Sequence, residues 1–239
     1  SDLQVNAISK RWILDAFHQK YQGFYFTSPN VKIPDNQPYP HRDDLETRNY
    51  GISFSYIFNA NKFSLRSAYT FTEQQRKSKG SFLFSYILSS FNLHADSSLV
   101  EKASTLSFGQ GSASNDMRFT SLGIGPGYSY NLVVKKFFLN LTLSAGPAHY
   151  WIRYSDETGN VKNDIRTNGF TVARIGIGYN GDYFFGGLSV SNQSRDLKFE
   201  EIIFNSSIST FRFMLGYRFK EKGILQKRAI DYSPLPKKG

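Results

Sequence analysis

Cysteine is absent from the 239 residues, which excludes disulfides, thiolate catalysis and cysteine-ligated metal. Tryptophan and methionine occur twice each and histidine four times, so ligand and imidazole chemistry has few places to reside. No uninterrupted apolar run approaches the ~20 residues that a transmembrane helix needs. No stretch carries a sustained helical period either. The N-terminal segment lacks the basic, apolar, small-residue order of a signal peptide. DLQVNAI already reads as a strand from residue 2, so the chain is expected to be a mature or trimmed form. Carboxylates are outnumbered, 19 Asp+Glu against 29 Lys+Arg, for a net charge of +10. Such an excess suits nucleic acid, anionic headgroups or solubility alike. Part of it is local: the tail after Phe219, KEKGILQKRAIDYSPLPKKG, holds six Lys/Arg against two Asp/Glu.

What is abundant is aromatic, with 22 Phe and 15 Tyr, and it alternates. In STFRFMLGYRF, Phe211, Phe213, Leu215, Tyr217 and Phe219 share one face and Arg212, Met214, Gly216 and Arg218 the other, because successive strand side chains point to opposite sides. TRNYGISFSYIF, SLGIGPGYSYNL and FFLNLTLSAGP repeat the pattern, and Asn180-Gly181 between TVARIGIGY and DYFFGGLSV is a two-residue hairpin signal. About ten strands are expected, over 2–9, 11–26, 47–60, 62–75, 80–95, 117–133, 137–152, 166–180, 182–195 and 206–220. Most exceed the ~5–6 residues usual in soluble proteins and the ~9–11 that cross a bilayer.

Alternation alone fits a soluble barrel, apolar inside, or a membrane barrel, apolar outside. The polar face here is built of Gly, Ser, Thr and Asn with occasional Arg. Soluble sheet exteriors use more Lys and Glu, so the membrane reading prevails. The expected architecture is an all-β antiparallel transmembrane outer-membrane barrel over 1–220, with 221–239 a basic tail on the periplasmic side. One inconsistency follows from ten crossings: the long 27–46 loop falls at the same end as the short turns near 135 and 181. An uncounted crossing inside 97–116, or an internal gap in the chain, would repair the parity.

On the polar face, Arg66, Arg174, Arg212 and Arg218 are expected to point into the lumen, together with Gly123, Gly125, Gly127, Gly176, Gly178, Tyr183 and Phe185. Buried arginines need partners, yet the strands from 47 onward offer almost no carboxylates. Either the lumen is wet and anion-friendly, or loop acids such as Asp196, Glu200 and Glu201 fold in. A barrel of this strand number is expected to have a narrow or plugged lumen. Catalytic candidates are thin. His149 near Tyr150, Trp151, Ser155 and Asp156 reads as an interfacial histidine, and His94 with Asp96 is one imidazole and one acid, too few for a metal site. Asp43, Asp44 and Glu46, between Arg42 and Arg48, read as a solvated acidic loop. The GxGxG at 123–127 is not a nucleotide loop, since its glycines alternate within a strand.

RWILDAFHQKYQGFYF, HRDDLETRNYGISFSYIFNANKFSLRSAYTFTEQQRKSKGSFLF, LHADSSL and GYNGDYFFGGLSV resemble the Bacteroidota outer-membrane barrel family labelled domain of unknown function 4421, over roughly residues 2–220. The resemblance implies location and fold, no settled activity, and further strands preceding residue 1, for a barrel of 10–12. The expected function is a non-enzymatic structural or accessory subunit of the Gram-negative outer membrane, or a narrow conduit. The alternatives are a lipid-modifying or hydrolytic barrel enzyme and a small anion-selective channel. No cofactor or metal is expected. The expected partners are outer-membrane lipid or lipopolysaccharide, and outer-membrane or periplasmic proteins met by the loops and tail. Nucleic acid is not expected, because the aromatics are not interleaved with the basic clusters.

Overall fold

A computed structural model describes residues 1–25, 41–97, 114–156, 159–199 and 202–219. Nine strands form one sheet in sequence order: β1 (Asp2–Ile8), β2 (Trp12–Tyr25), β3 (His41–Ile57), β4 (Lys79–His94), β5 (Ser114–Val134), β6 (Phe137–Asp156), β7 (Val161–Asn180), β8 (Phe184–Phe199) and β9 (Ile202–Tyr217). Every neighbouring pair is antiparallel. The turns obey local chemistry. Lys135 takes a left-handed φ of 58° in the two-residue link between β5 and β6, and the Gly181 amide donates to the Phe184 carbonyl at 2.9 Å to close the β7–β8 turn.

The sheet is curled. Asp15 on β2 meets Arg174 on β7, and Gln193 on β8 donates to Ser53 on β3 at 3.2 Å, contacts that a flat sheet cannot make. Eight antiparallel steps, an even number, leave β1 and β9 running the same way. They are joined by side chains: Thr210 Oγ1 donates to Gln4 Oε1 at 2.5 Å, and the Arg212 guanidinium reaches Asn6 Oδ1 at 3.4 and 3.5 Å. The rising numbers, 4 with 210 and 6 with 212, agree with parallel edges.

The expected strand over 62–75 does not form. Asn59 accepts from Lys62 and Phe63 in a turn, and a single helical turn follows, α1 (Arg66–Tyr69). Phe63, Leu65, Ala68, Tyr69 and Phe71 are all buried, with Leu65, Ala68 and Tyr69 at the i, i+3, i+4 spacing of one helix face. The segment between β3 and β4 thus packs inside the curl against β6 and β7. Removing that crossing corrects the strand count among the described residues to nine. It also restores the parity: the turns at 9–11, 58–78, 135–136 and 181–183 now share one end, while β2 and β4 finish and β3 and β5 begin at the other. The proposed extra crossing within 97–116 lies mostly outside the described residues, and none is required.

Candidate functional site

The interior is layered. Near the end carrying the long connections, Leu93, Met117, Phe119, Tyr150, Ile152, Phe170 and Val172 form an apolar cluster. At the turn end, the inserted segment joins Ile13, Ile57, Leu83 and Phe138 in a second one. Phe71 stacks on Phe185 at 5.2 Å and meets Phe138 edge-on at 5.7 Å, so aromatic rings fill the mouth at that end.

Between them lies a polar layer. The Asp15 carboxylate accepts from Arg174, from Ser53 Oγ at 3.0 Å, from Gln193 Nε2 at 3.3 Å and from Asn6. Ser85 bonds Ser55 at 2.8 Å and Ser144 at 3.1 Å, spanning three strands. Ser129 and Thr142 pair at 2.6 Å, and Asn140 accepts from the Tyr69 hydroxyl at 2.7 Å, tying the plug to the wall. Asn131 donates to the Ser64 carbonyl and Ser67 Oγ, fixing the plug from a second side. Most of the small hydroxyls and amides on opposed strands bond one another here, as buried polar groups do, while Asn131 Oδ1 and Gln193 Oε1 have no partner among the described residues. A cavity of about 110 Å³ remains at the β1–β9 edges, lined in part by Asn6, Asp15, Arg174, Gln193 and Arg212.

The expected lumen arginines divide. Arg174 is 4% exposed and ion-paired, and Arg212 turns toward Asn6. Arg218 donates to the carbonyls of Gly181 and Phe71 and to Asn180 Oδ1, and lies 4.5 Å from the centre of the Phe185 ring. Arg66 is a correction: it sits on α1, partly exposed, and pairs with Glu73 at 3.0 Å. Tyr183 is a second correction. It belongs to the β7–β8 turn, is exposed, and stacks against outward-facing Tyr217 at 6.2 Å, because the strand begins only at Phe184. Phe185 faces inward onto the plug.

Of the inner-face glycines, a Cβ on Gly125 would fall 2.3 Å from the Ala145 carbonyl, and one on Gly127 would strike Ser144. Gly123, Gly176 and Gly178 lie against Phe170, Tyr69 and Phe138 respectively. These glycines make room for neighbouring walls and aromatic rings. On the other face, Phe211, Phe213, Leu215, Tyr217 and Phe219 are exposed.

Sequence reasoning missed Asp15, the acid that balances Arg174, although Ile13, Asp15, Phe17 and Gln19 alternate onto one face. It also missed Arg195, which is 5% exposed and lies 5.0 Å from the Phe17 ring centre. Asp43, Asp44 and Glu46 sit in β3 rather than a loop and are paired with His41, Arg42, Lys20 and Arg48. Among the described residues no cluster of His, Asp and Glu could hold a metal. His149 faces outward, edge-on to Trp151 at 4.6 Å and 3.5 Å from Thr167 Oγ1, while Tyr150 faces inward. His94 pairs with Asp116 at 3.5 Å. The side chains of Asp196, Glu200 and Glu201 and the tail 221–239 lie outside the described residues.

No curated protein matches the chain. Among solved structures, the attachment invasion locus protein Ail of Yersinia pestis, determined with the heparin analogue sucrose octasulfate, is similar at 12% identity. The match covers 87% of this chain and 97% of that one with a TM-score of 0.34. An overlap so loose carries no inference, and the fold stands on the strand ladders themselves. The family model described as Domain of unknown function (DUF4421) matches residues 1–219, and the chain belongs to that family.

Proposed function

We propose that the chain is an integral outer-membrane β-barrel protein with an occluded lumen, serving the membrane as a structural or accessory component rather than as a pore or a catalyst. The carrying observation is the inverted distribution of polarity. Phe82, Phe211, Phe213 and Leu215 are 65–75% exposed, while Ser53, Ser85, Ser129, Asn131 and Asn140 are buried. In water, a continuous apolar wall of this kind would far exceed the few hundred Å² that soluble monomers tolerate; in lipid it is the ordinary outer surface.

Occlusion is supported by the aromatic mouth and by the plug bonds to Asn131 and Asn140. The arginines that suggested an anion channel are held by Asp15, by backbone carbonyls and by Asn180. An enzyme reading gains nothing from His149, which stands beside an indole and a threonine on the outer wall. Outer-membrane lipid, including lipopolysaccharide, is the first partner of such a wall, and proteins at its two ends are the second.

The test is reconstitution. Purified protein should require detergent, insert into phospholipid vesicles, and show heat-modifiable mobility on gels. In planar bilayers it should show no conductance above background. A monodisperse monomer in detergent-free buffer would refute the membrane assignment, and discrete conductance steps would refute occlusion.

A further inference from the structure

The strand register places charged residues together on the outer wall in a way the sequence does not reveal. Arg48 lies opposite Asn92, Asn92 opposite Arg118, and Arg118 opposite Arg153, across four consecutive strands. Lys20 on β2 extends the row, opposite Arg48. All belong to the outward-facing set, since Thr47, Leu93, Met117, Ile152 and Tyr154 beside them are buried. The next row toward the long-connection end holds Glu46, His94 and Asp116.

Glu46 is engaged by Lys20 at 2.8 Å and Arg48 at 2.5 Å, and Asp116 by His94 at 3.5 Å. Neither acid forms an ion pair with Arg118 or Arg153, which have none among the described residues. Two like charges directly opposite on adjacent strands destabilise a sheet, so this pair costs stability until an anion bridges it. The residues frame a concavity of about 550 Å³.

Two residues further along the same strands on the same face, roughly 7 Å at ~3.3 Å per residue, the wall becomes Tyr50, Thr120 and Trp151. Beyond these lie Ile52, Leu88, Leu122 and Ile124, all exposed. The arginine pair therefore stands where apolar wall gives way to polar surface. Guanidinium forks match phosphate oxygens bidentately, and an interfacial arginine beside tyrosine and tryptophan sits at headgroup depth.

We infer that Arg118 and Arg153, flanked by Arg48 and Asn92, form a binding site on the outer wall for a phosphate-bearing lipid headgroup, its acyl chains lying along Ile52, Leu88 and Leu122. This rests on the membrane reading above. Because the site lies at the end of the long connections, the ligand that fits its charge and place is a phosphorylated glycolipid of the leaflet on that side.

The test uses the full chain carrying Trp12→Phe, so that Trp151 is the single indole, reconstituted in zwitterionic phospholipid vesicles. Diphosphoryl lipid A is titrated in, and Trp151 emission is read against a dephosphorylated glycolipid with the same chains. Saturable change with the diphosphoryl lipid alone is expected. Arg118→Gln/Arg153→Gln should weaken it at least tenfold, Arg118→Lys/Arg153→Lys should retain part, and Lys135→Gln at the opposite end should leave it unchanged.

Equal response of the Gln pair and the parent, with heat-modifiable folding intact in both, overturns the site. So does equal response to the dephosphorylated lipid. Competition by inorganic phosphate at sub-millimolar concentration would reassign the site to the free ion and also overturn the lipid. If the protein fails to enter vesicles at all, the membrane reading itself falls, an outcome distinct from insertion without lipid discrimination.

Discussion

Replacing Asp15 by alanine tests whether the polar layer is dry. Asp15 is 9% exposed, and its carboxylate takes bonds from Arg174, Ser53, Gln193 and Asn6. Alanine would leave the Arg174 guanidinium, 4% exposed, as an uncompensated buried charge. Breaking one side of a buried pair costs about 3–5 kcal/mol, or roughly 10²- to several 10³-fold in the unfolding equilibrium. Replacing both partners by apolar groups of similar volume is often neutral or better, so Asp15→Leu/Arg174→Met should recover most of the loss. The assay is urea unfolding in phospholipid vesicles, followed by heat-modifiable gel mobility and tryptophan emission. The double-mutant cycle should return a coupling of several kcal/mol. A loss below about 1 kcal/mol for Asp15→Ala, the range of solvated pairs, would mean that water reaches this layer. The reasoning for an occluded lumen would then fail at its centre.

Tyr69→Phe removes the hydroxyl that the plug donates to Asn140 Oδ1, and should cost about 1–3 kcal/mol in the same assay. An unchanged midpoint would show that the plug is held by apolar packing alone. Leu141→Arg, in the outward row of Tyr130, Ile175, Val190 and Phe211, should destabilise the vesicle-inserted protein by about 2–4 kcal/mol, and equal stability would argue against lipid contact there. At the long-connection end, Asp44 is held down to about 2, first by the hydrogen bond from Arg42 and against the opposing effect of its burial. A depressed carboxyl stabilises above its ordinary 3.8 and loses that contribution as pH falls toward about 2. Arg42→Gln should return Asp44 to the usual carboxylate range by NMR titration, and an unmoved midpoint would refute the pairing.

The strands were legible because their alternation is strict, and the face assignment followed from the small polar residues opposite the aromatics. The segment 62–75 misled because Phe63, Leu65, Tyr69 and Phe71 imitate a strand with one gap. The gap at Ser67 is where a helical turn closes, with Ser67 Oγ donating to the Ser64 carbonyl. A buried helical turn and a strand both place aromatics at odd positions over so short a run. Asp15 was hidden because its partner is 159 residues away, and no local pattern reports which strands face each other across a curl. The Arg118–Arg153 pair was invisible for a similar reason: opposition depends on register, which is settled by turn length and face burial together.

The one-after-another strand order has a kinetic consequence. Every backbone ladder joins consecutive strands, so the wall can be laid down hairpin by hairpin, each step closing only a short stretch of chain. The bonds across the interior and between the edges span 140 to 206 residues and can form only after the curl is nearly complete. Contacts that mature late are absent from the folding transition state, so losing them speeds unfolding while leaving the folding rate nearly untouched. Asp15, Gln193 and Thr210 therefore act on the lifetime of the finished barrel, as latches fastened last and released first.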